Sequence, residues 1–256
     1  MKMGRRIGLA SWVAGVGLLA ALLAGGGCGS FPSEDVYPVS TTIGEIETGM
    51  RKALDPDGRY ASAKSYVQRQ VSQEVRWLEE NAVETLTDVK FSAPDKLLMV
   101  NYVDNEPQSG IVINGERGWV VDYAAKRTTP LEADRMRLVR TLTLIANPGS
   151  RLSQVFENIK IEGCRIEGKE YYKLTCKIDA DIPTLDIYID KDDFLIRYYR
   201  IGDTFSRVIR YGLHEGVMVP VEMETDAGGR KTRVTVVDYK LDVNIPADEF
   251  FPPVFR

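Results

Sequence analysis

The sequence has a single histidine, His214, among its 256 residues. A zinc site of the His-Glu-x-x-His kind and any ligand set with paired histidines are therefore excluded. The chain also has no Gly-x-Ser-x-Gly nucleophile motif and no glycine-rich phosphate loop. Asp190, Asp192 and Asp193 lack the spacing and the closing glutamate of a calcium loop, so we expect a solvated turn there. These absences predict a protein that is not an enzyme and uses no metal or cofactor.

Basic charge is also scarce. The chain has 33 basic and 37 acidic residues, and Lys2, Arg5 and Arg6 are the basic residues of the first 27 positions. Without those positions, 30 basic residues would face 37 acidic ones, for a formal charge of −7. A domain this acidic is repelled by phosphate groups, and the sequence shows no basic stripe. Nucleic acid is therefore not expected as a partner.

An apolar run follows the basic N-terminus from Ile7 to Leu23, but it is too short and too rich in glycine and alanine for a convincing membrane span. Residues 1–27 are predicted to be a secretory signal peptide. Small residues stand directly before Cys28, as in bacterial lipoprotein signals, in which diacylglycerol is attached to the cysteine thiol. The alternative is an ordinary cleavage site beside an unmodified Cys28. Residues 28–41 contain proline and serine without periodicity, which predicts a tether.

Two amphipathic helices are predicted in the remaining chain. Thr42 to Leu54 begins with a capping box formed by Thr42 and Glu45 and carries an apolar stripe. Leu131 to Ala146 follows Pro130, ends before Asn147-Pro148-Gly149, and also has one apolar face. Each stripe could simply pack on a sheet.

Strand patterns fill most of the chain between and after these helices. Turn signals include Ala93-Pro94-Asp95 and Asn114-Gly115, the second of which is predicted as a two-residue type I′ hairpin turn. Residues 97–100 are apolar on both faces, so a second layer must cover them. About nine to eleven antiparallel strands are expected, enough to curl into a barrel or half barrel.

Cys164 and Cys176 flank a predicted turn at Gly168-Lys169. In a regular hairpin the two cysteines would lie three or four residues apart along the ladder, beyond disulfide reach. A disulfide would require an irregular strand, and two buried thiols are the alternative. Neither arrangement makes a metal or redox site.

Several turn and strand sequences together carry a family resemblance. They are the Pro94-Asp95 turn, the apolar strand of residues 96–103, the strand WVVDY of residues 119–123, the pair Thr128-Thr129 before a helical segment, and the later segments Glu167 to Leu174, Leu185 to Asp190 and Val236 to Pro253. In this order they resemble the LolA/LolB-type lipoprotein-sorting superfamily over most of residues 42–253.

The resemblance implies an α+β fold that is mostly antiparallel β. Residues 42–256 would form a curved, open half β-barrel of about nine to eleven strands. The N-terminal helix would lie against its concave face, and the second helix would act as a lid. Members of the family hold acyl chains of lipoproteins in the space between barrel and lid. The side chains available to line such a cavity are Leu98, Val100, Trp119, Val121, Leu138 and Leu142.

The functional hypothesis is a monomeric, non-enzymatic carrier of acyl chains from lipoproteins or other lipids, attached to a membrane through Cys28. Gly29 and Ser30, with no aspartate after the cysteine, favour the periplasmic face of the outer membrane by the family's sorting logic. Without lipidation the protein would be periplasmic. The alternative is an envelope interaction or stress-sensing module whose half barrel is filled by its own helices.

Overall fold

The computed structural model describes residues 31–75, 84–146, 151–178 and 183–255. The predicted signal peptide and Cys28 lie outside these ranges. The described chain contains fourteen strands. Their bounds are β1 Glu34–Tyr37, β2 Ser65–Glu74, β3 Glu84–Ser92, β4 Lys96–Val103, β5 Glu106–Asn114, β6 Arg117–Asp122, β7 Arg127–Pro130, β8 Ile159–Ile166, β9 Lys169–Cys176, β10 Leu185–Asp190, β11 Ile196–Ile201, β12 Thr204–His214, β13 Val217–Ala227 and β14 Arg230–Leu241.

Within the same ranges, four short or medium α-helices and one 3-10 helix accompany the strands. They are α1 Ile43–Leu54, α2 Arg59–Ser62, α3 Ala133–Ala146, α4 Leu152–Val155 and the 3-10 helix Ala247–Phe250. Among the residues placed by the structure, no helix is long and apolar enough to cross a membrane.

The strands form one antiparallel sheet in the order β1-β8-β9-β10-β11-β12-β13-β14-β2-β3-β4-β5-β6-β7. Its two edges, β1 and β7, do not pair with each other, so the barrel is open. The chain runs from β7 through α3 and α4 to β8, and these two helices therefore connect the two edge regions. This architecture confirms the predicted open half-barrel of mostly antiparallel strands covered by helices.

The sheet has more strands than the predicted nine to eleven, and part of the difference lies in β1 and β7. Each has four residues, EDVY and RTTP, which is too short for an alternating pattern to be visible. β1 lies within the predicted tether of residues 28–41. It pairs with β8 from Glu34 opposite Ile166 to Tyr37 opposite Gly163, so the folded domain begins before residue 42.

The predicted type I′ turn at Asn114-Gly115 is wrong. Asn114 pairs with Arg117 as the last residue of β5, so the two-residue loop is Gly115-Glu116, shifted by one position. Two-residue loops in which both residues have positive φ lie elsewhere, for example at Asp104-Asn105 between β4 and β5, with φ of 51° and 62°. Asparagine and aspartate tolerate this backbone region better than most side chains, which explains their place in the turn.

The first helix begins and ends where its sequence signals predict. The backbone N–H of Thr42 donates to Glu45 Oε2 at 2.8 Å, and the Glu45 N–H donates to Thr42 Oγ1 at 3.4 Å, which completes the capping box. Ile46 is fully buried against the sheet. α1 is also tied to α4, because Glu47 Oε1 accepts a hydrogen bond from the Ser153 N–H at 2.8 Å.

The two described cysteines are free, and they lie on opposite faces of the sheet. Cys164 pairs with Tyr171, whereas Cys176 pairs with Ile159 at the far end of the same hairpin. Burial, reinforced by the nearby Glu34 carboxylate, raises the pKa of the Cys164 thiol to about 12. Burial likewise raises the pKa of Cys176 to about 12. Both thiols are therefore protonated and unreactive at neutral pH.

We predict that a Cys28→Ser variant will show no fast-reacting thiol with a chromogenic disulfide reagent at pH 8. The reason is that both remaining cysteines are buried with a raised pKa. In denaturing urea, two thiols per chain should react. A thiol that reacts within minutes in the native protein would contradict the burial of these two residues.

Candidate functional site

The concave face of β3, β4 and β5 is an apolar surface built by strict alternation. Register places Val89 opposite Met99 and Met99 opposite Ile111, and the next row is Phe91, Leu97 and Ile113. Side chains of directly paired residues point to the same face of a sheet. All six are nearly inaccessible to solvent and belong to the main hydrophobic core.

α3 covers this part of the concave face. Met136, Val139 and Leu142 are buried in the same core cluster, and Leu138 and Ile145 pack against it with partial exposure. Gly118 on β6 permits the close approach, since a Cβ there would come within 2.6 Å of the Met136 Sδ atom. The prediction of an apolar helix face over residues 136–145 agrees with this packing; the side chain of Ala146 lies outside the described residues.

Four of the six residues predicted to line a cavity lie on the other face of the sheet. Leu98 pairs with Val112 and Val112 with Trp119, while Val100 and Val121 both flank Gly110. These rows alternate with the concave rows and are absent from the main core cluster. Of the predicted set, only Leu138 and Leu142 reach the concave side. On β4 and β6, the residues that face the concave side are their sequence neighbours Leu97, Met99 and Val120.

The outer face of β4 and β5 is apolar because the C-terminal tail covers it. The 3-10 helix Ala247–Phe250 lies against β4 and β5, and Phe250 is 1% exposed. Lys90 on β3 forms an ion pair with Glu249, and Lys96 Nζ lies 5.9 Å from the Phe250 ring centroid. β4 is therefore buried on both sides, and residues 97–100 show no alternation that would reveal which side faces the helices.

A row of uncharged polar side chains, which the sequence did not predict, interrupts the apolar concave face. Register aligns Gln70, Thr87, Asn101 and Ser109 across β2 to β5, and we call these four residues the polar row. The Thr87 hydroxyl donates to Asn101 Oδ1 at 2.8 Å, and Asn101 Nδ2 donates to Ser109 Oγ at 3.2 Å. The sequence signal for this row was in β2, where inward glutamines alternate with outward valines.

Tyr66 lies farther along the same face of β2. Its ring stacks with those of Phe91 and Tyr239, with centroids 5.2 and 5.7 Å away. The hydroxyl group is buried and has no hydrogen-bond partner among the residues described by the structure. Burial raises the pKa of Tyr66 well above its usual range, so this group is neutral. These rows of the concave surface of β2 to β5 thus combine apolar side chains with neutral polar groups.

Exposed ion pairs connect α3 to two hairpin loops. Arg140 Nη1 lies 2.8 Å from Glu116 Oε1 in the β5–β6 loop, and its Nη2 lies 4.0 Å from Asp95 Oδ2 in the β3–β4 loop. The Glu116 side chain is 87% exposed. Such pairs contribute about 0–1 kcal/mol each. α3 is therefore attached by apolar packing on its inner side and by weak polar contacts at the rim.

Partly exposed apolar side chains lie at the other edge of the sheet, near α4. Ile159 and Ile161 on β8, Tyr172 on β9 and Val155 in α4 pack against the core without being fully buried. β1 pairs with β8 only from Gly163 to Ile166. Within the described chain, residues 159–162 have no strand on that side, so the concave face has an apolar margin there.

A separate groove of about 770 Å³ lies on the solvent side of α1. It forms because Gly49 allows the Phe194 ring to pack directly against the helix backbone. Charged side chains, including Glu45, Lys52 and Asp193, border it. It is open to solvent and distinct from the apolar concave face.

Solved structures with the same architecture include a LolA superfamily protein from Nitrosomonas europaea, which is 15% identical. The match covers 83% of this chain and 99% of that one, with a TM-score of 0.57. The protein has a LolA-like fold. This is the fold that the resemblance in the sequence implied.

Two further structures share the LolA-like fold. A domain described as an outer-membrane lipoprotein-sorting protein from Vibrio parahaemolyticus matches at 10% identity and a TM-score of 0.55, covering 80% of this chain and 94% of that one. A DUF1329 family protein from Desulfovibrio piger matches at 12% identity and a TM-score of 0.53, covering 82% and 97%. No protein-family model matches the sequence, and no curated protein sequence matches it.

The polar row generates a stability prediction. Thr87→Val removes the donor to Asn101 Oδ1 and leaves a buried acceptor unpaired, so we expect the free energy of unfolding to fall by about 1–3 kcal/mol. Adding Asn101→Leu removes the unpaired group, and the double variant should be more stable than Thr87→Val alone. Urea denaturation measures both. A double variant less stable than the single one would contradict a paired interaction.

Proposed function

We propose that the protein is a non-enzymatic carrier that binds acyl chains of lipoproteins or other lipids between its concave face and α3. In this proposal the domain is a monomer, tethered through lipidated Cys28 to the periplasmic face of the bacterial outer membrane. The observation that carries the proposal is the largely apolar concave face beneath α3, which together with α4 connects the two edge regions of the open sheet. The LolA-like fold supports it.

The attachment of α3 is suited to displacement. Its inner contacts come from Met136, Val139 and Leu142, whose burial contributes about 1.5–3 kcal/mol each. An acyl chain of about 16 carbons gains about 12 kcal/mol when it is fully buried. Cargo that enters between α3 and the concave face therefore exchanges one set of apolar contacts for another. The net affinity is modest, which a carrier that must release its cargo requires.

The polar row fits the chemistry of such cargo. Acyl chains in lipoproteins and membrane lipids are joined through ester or amide groups, which accept or donate hydrogen bonds but carry no charge. Thr87, Asn101 and Ser109 can exchange hydrogen bonds with such a group at low cost, because they currently bond to each other. The buried residues of the polar row are uncharged and therefore do not require a charged ligand.

A second candidate function follows from the burial of the concave face. Leu97 and Ile111 are each 1% exposed, and Leu142 is 4% exposed. α3 therefore fills the space beside them. A half barrel filled in this way could act as an envelope interaction or sensing module that binds a protein on its surface.

Uptake of a fluorescent fatty acid separates the two functions. We expect the protein to bind the probe, and Leu142→Asp to weaken binding more than about tenfold, or about 1.4 kcal/mol, because it places a charge in the apolar interface. Ala133→Asp is the matched control, since it adds the same charge at an exposed position of the same helix. It should bind like the unmodified protein.

Circular dichroism must show that the Leu142→Asp variant keeps its sheet. We expect this because α3 lies outside the fourteen-stranded ladder. A protein that takes up no probe, or a Leu142→Asp variant that binds as tightly as the control, would favour the filled interaction module.

A further inference from the structure

The residues directly after the predicted anchor are fixed to the outer face of the sheet. The Phe31 ring sits among three aromatic rings, with centroid distances of 5.2 Å to Tyr188, 5.9 Å to Tyr198 and 5.5 Å to Phe205. The Arg200 guanidinium lies 5.0 Å from the Phe31 centroid. These partners come from β10, β11 and β12, so Phe31 spans three strands. Aromatic pairs of this kind contribute about 0.5–1.5 kcal/mol beyond their burial.

Glu34 adds a charged contact on the same face. Its Oε1 lies 2.7 Å from Lys173 Nζ and 3.3 Å from Arg200 Nη2, and Oε2 accepts a hydrogen bond from the Tyr188 hydroxyl at 3.0 Å. Arg200 also pairs with Asp186 at 2.7 Å. Burial opposes ionisation of Glu34, but the Lys173 and Tyr188 hydrogen bonds outweigh it and lower the pKa of the carboxyl group. Glu34 is therefore charged at neutral pH.

Strand pairing secures the rest of the segment. Residues 34–37 form β1 on β8, and the Tyr37 ring packs directly on Gly163, where a Cβ would overlap it. Lys191 Nζ lies 2.9 Å from the Tyr37 hydroxyl oxygen and 4.8 Å from the ring centroid. We call residues 31–37 the strap. Every second or third residue of the strap has a defined partner, which is unlike a flexible linker.

Because the strap lies close to Cys28 in the sequence, its packing restricts how the domain can be oriented relative to the membrane. Phe31 is three positions after Cys28, and an extended chain covers at most about 3.3–3.6 Å per position, or about 11 Å in all. A lipid on Cys28 has its thioether at the membrane interface. Phe31, and the outer face of β10 to β12 beneath it, must then lie within about that distance of the lipid head groups.

We propose that the strap docks the outer face of β10 to β12 onto the bilayer that holds the Cys28 lipid and thereby fixes the orientation of the domain. The proposal rests on the lipid anchoring of Cys28 in the proposed function. Arg207 is exposed on the same face, between Tyr198 and Glu224 in the strand register, and therefore marks that face without contacting the strap.

The orientation has a consequence for cargo exchange. α1 packs on the opposite face of the same region, where Gly49 contacts Phe194 in the β10–β11 turn. A helix layer lies about 10 Å from a sheet and is itself about 10 Å thick, so the helical side stands roughly 20 Å farther from the membrane. Cargo would therefore be exchanged with a partner approaching from the aqueous side, and would not be drawn from the anchoring leaflet.

Fluorescence quenching in vesicles tests the orientation. The full-length lipidated protein is reconstituted into phosphatidylethanolamine and phosphatidylglycerol vesicles that contain a lipid with a nitroxide on its head group. A small fluorophore is attached at Arg207→Cys on the outer face or at Lys52→Cys on α1. Both are exposed basic residues, and the buried native thiols do not compete for the label. We expect quenching at position 207 to exceed that at position 52 at least threefold.

Variants of the strap supply the control. Phe31→Ala combined with Glu34→Ala removes both outer-face contacts and should abolish the difference between the two labels. Ser33→Ala combined with Asp35→Ala changes exposed positions of the same strap and should preserve it. Circular dichroism verifies that each variant is folded.

Equal quenching at the two positions, or a difference that survives release of Phe31 and Glu34, would overturn the proposal. Protein that fails to float with the vesicles would overturn it as well, by showing that Cys28 is not an anchor. That result leaves acyl binding to be judged by fatty-acid uptake, so the failure of the orientation and the failure of the carrier function are distinguishable.

Discussion

The structure depends on one constraint: the apolar rows on each face of a single open sheet must be covered. On the concave side, α1, α3 and α4 supply the apolar cover. On the outer side, the two ends of the domain do so, with Phe31 and Glu34 over β9 to β12 and Phe250 over β4 and β5. A sheet this long would otherwise expose apolar rows to water and unpaired edges to other chains. The helices and the terminal segments thus serve the same purpose, which is to cover the apolar rows of the sheet.

Features that depend on local sequence could be predicted, whereas features that depend on which distant segment covers the sheet could not. The capping box of α1 is a local signal and is found in the structure at Thr42 and Glu45. α3 also follows from local features, since Pro130 precedes it and an apolar stripe runs over residues 136–142. Local features do not show which face of β4 is turned towards the helices. Leu97 to Val100 are apolar on both faces of β4, and the prediction that Leu98 and Val100 line the concave side is wrong. The segments that distinguish the two faces are distant in sequence, because α3 covers the concave face and Phe250 covers the outer one.

The two terminal segments were harder to predict for a related reason. Phe31 to Tyr37 has no periodicity and contains a proline, so composition indicated a tether, yet the partners of Phe31 are more than 150 residues away in the sequence. The polar row has the same character. Gln70, Thr87 and Asn101 are separated along the chain and become a row only through strand register. Long-range pairing, and not local propensity, creates both features.

In the proposed function, α3 is the layer over the concave face that cargo displaces. The central claim is that lipid acyl chains occupy the concave face when α3 moves. Native mass spectrometry of the protein purified from the envelope of an expressing bacterium, with lipid extraction of any adduct, tests this claim most directly. The account predicts bound species that release acyl-bearing lipids on extraction. A population that consists only of the unliganded mass, from material never exposed to detergent, would contradict it.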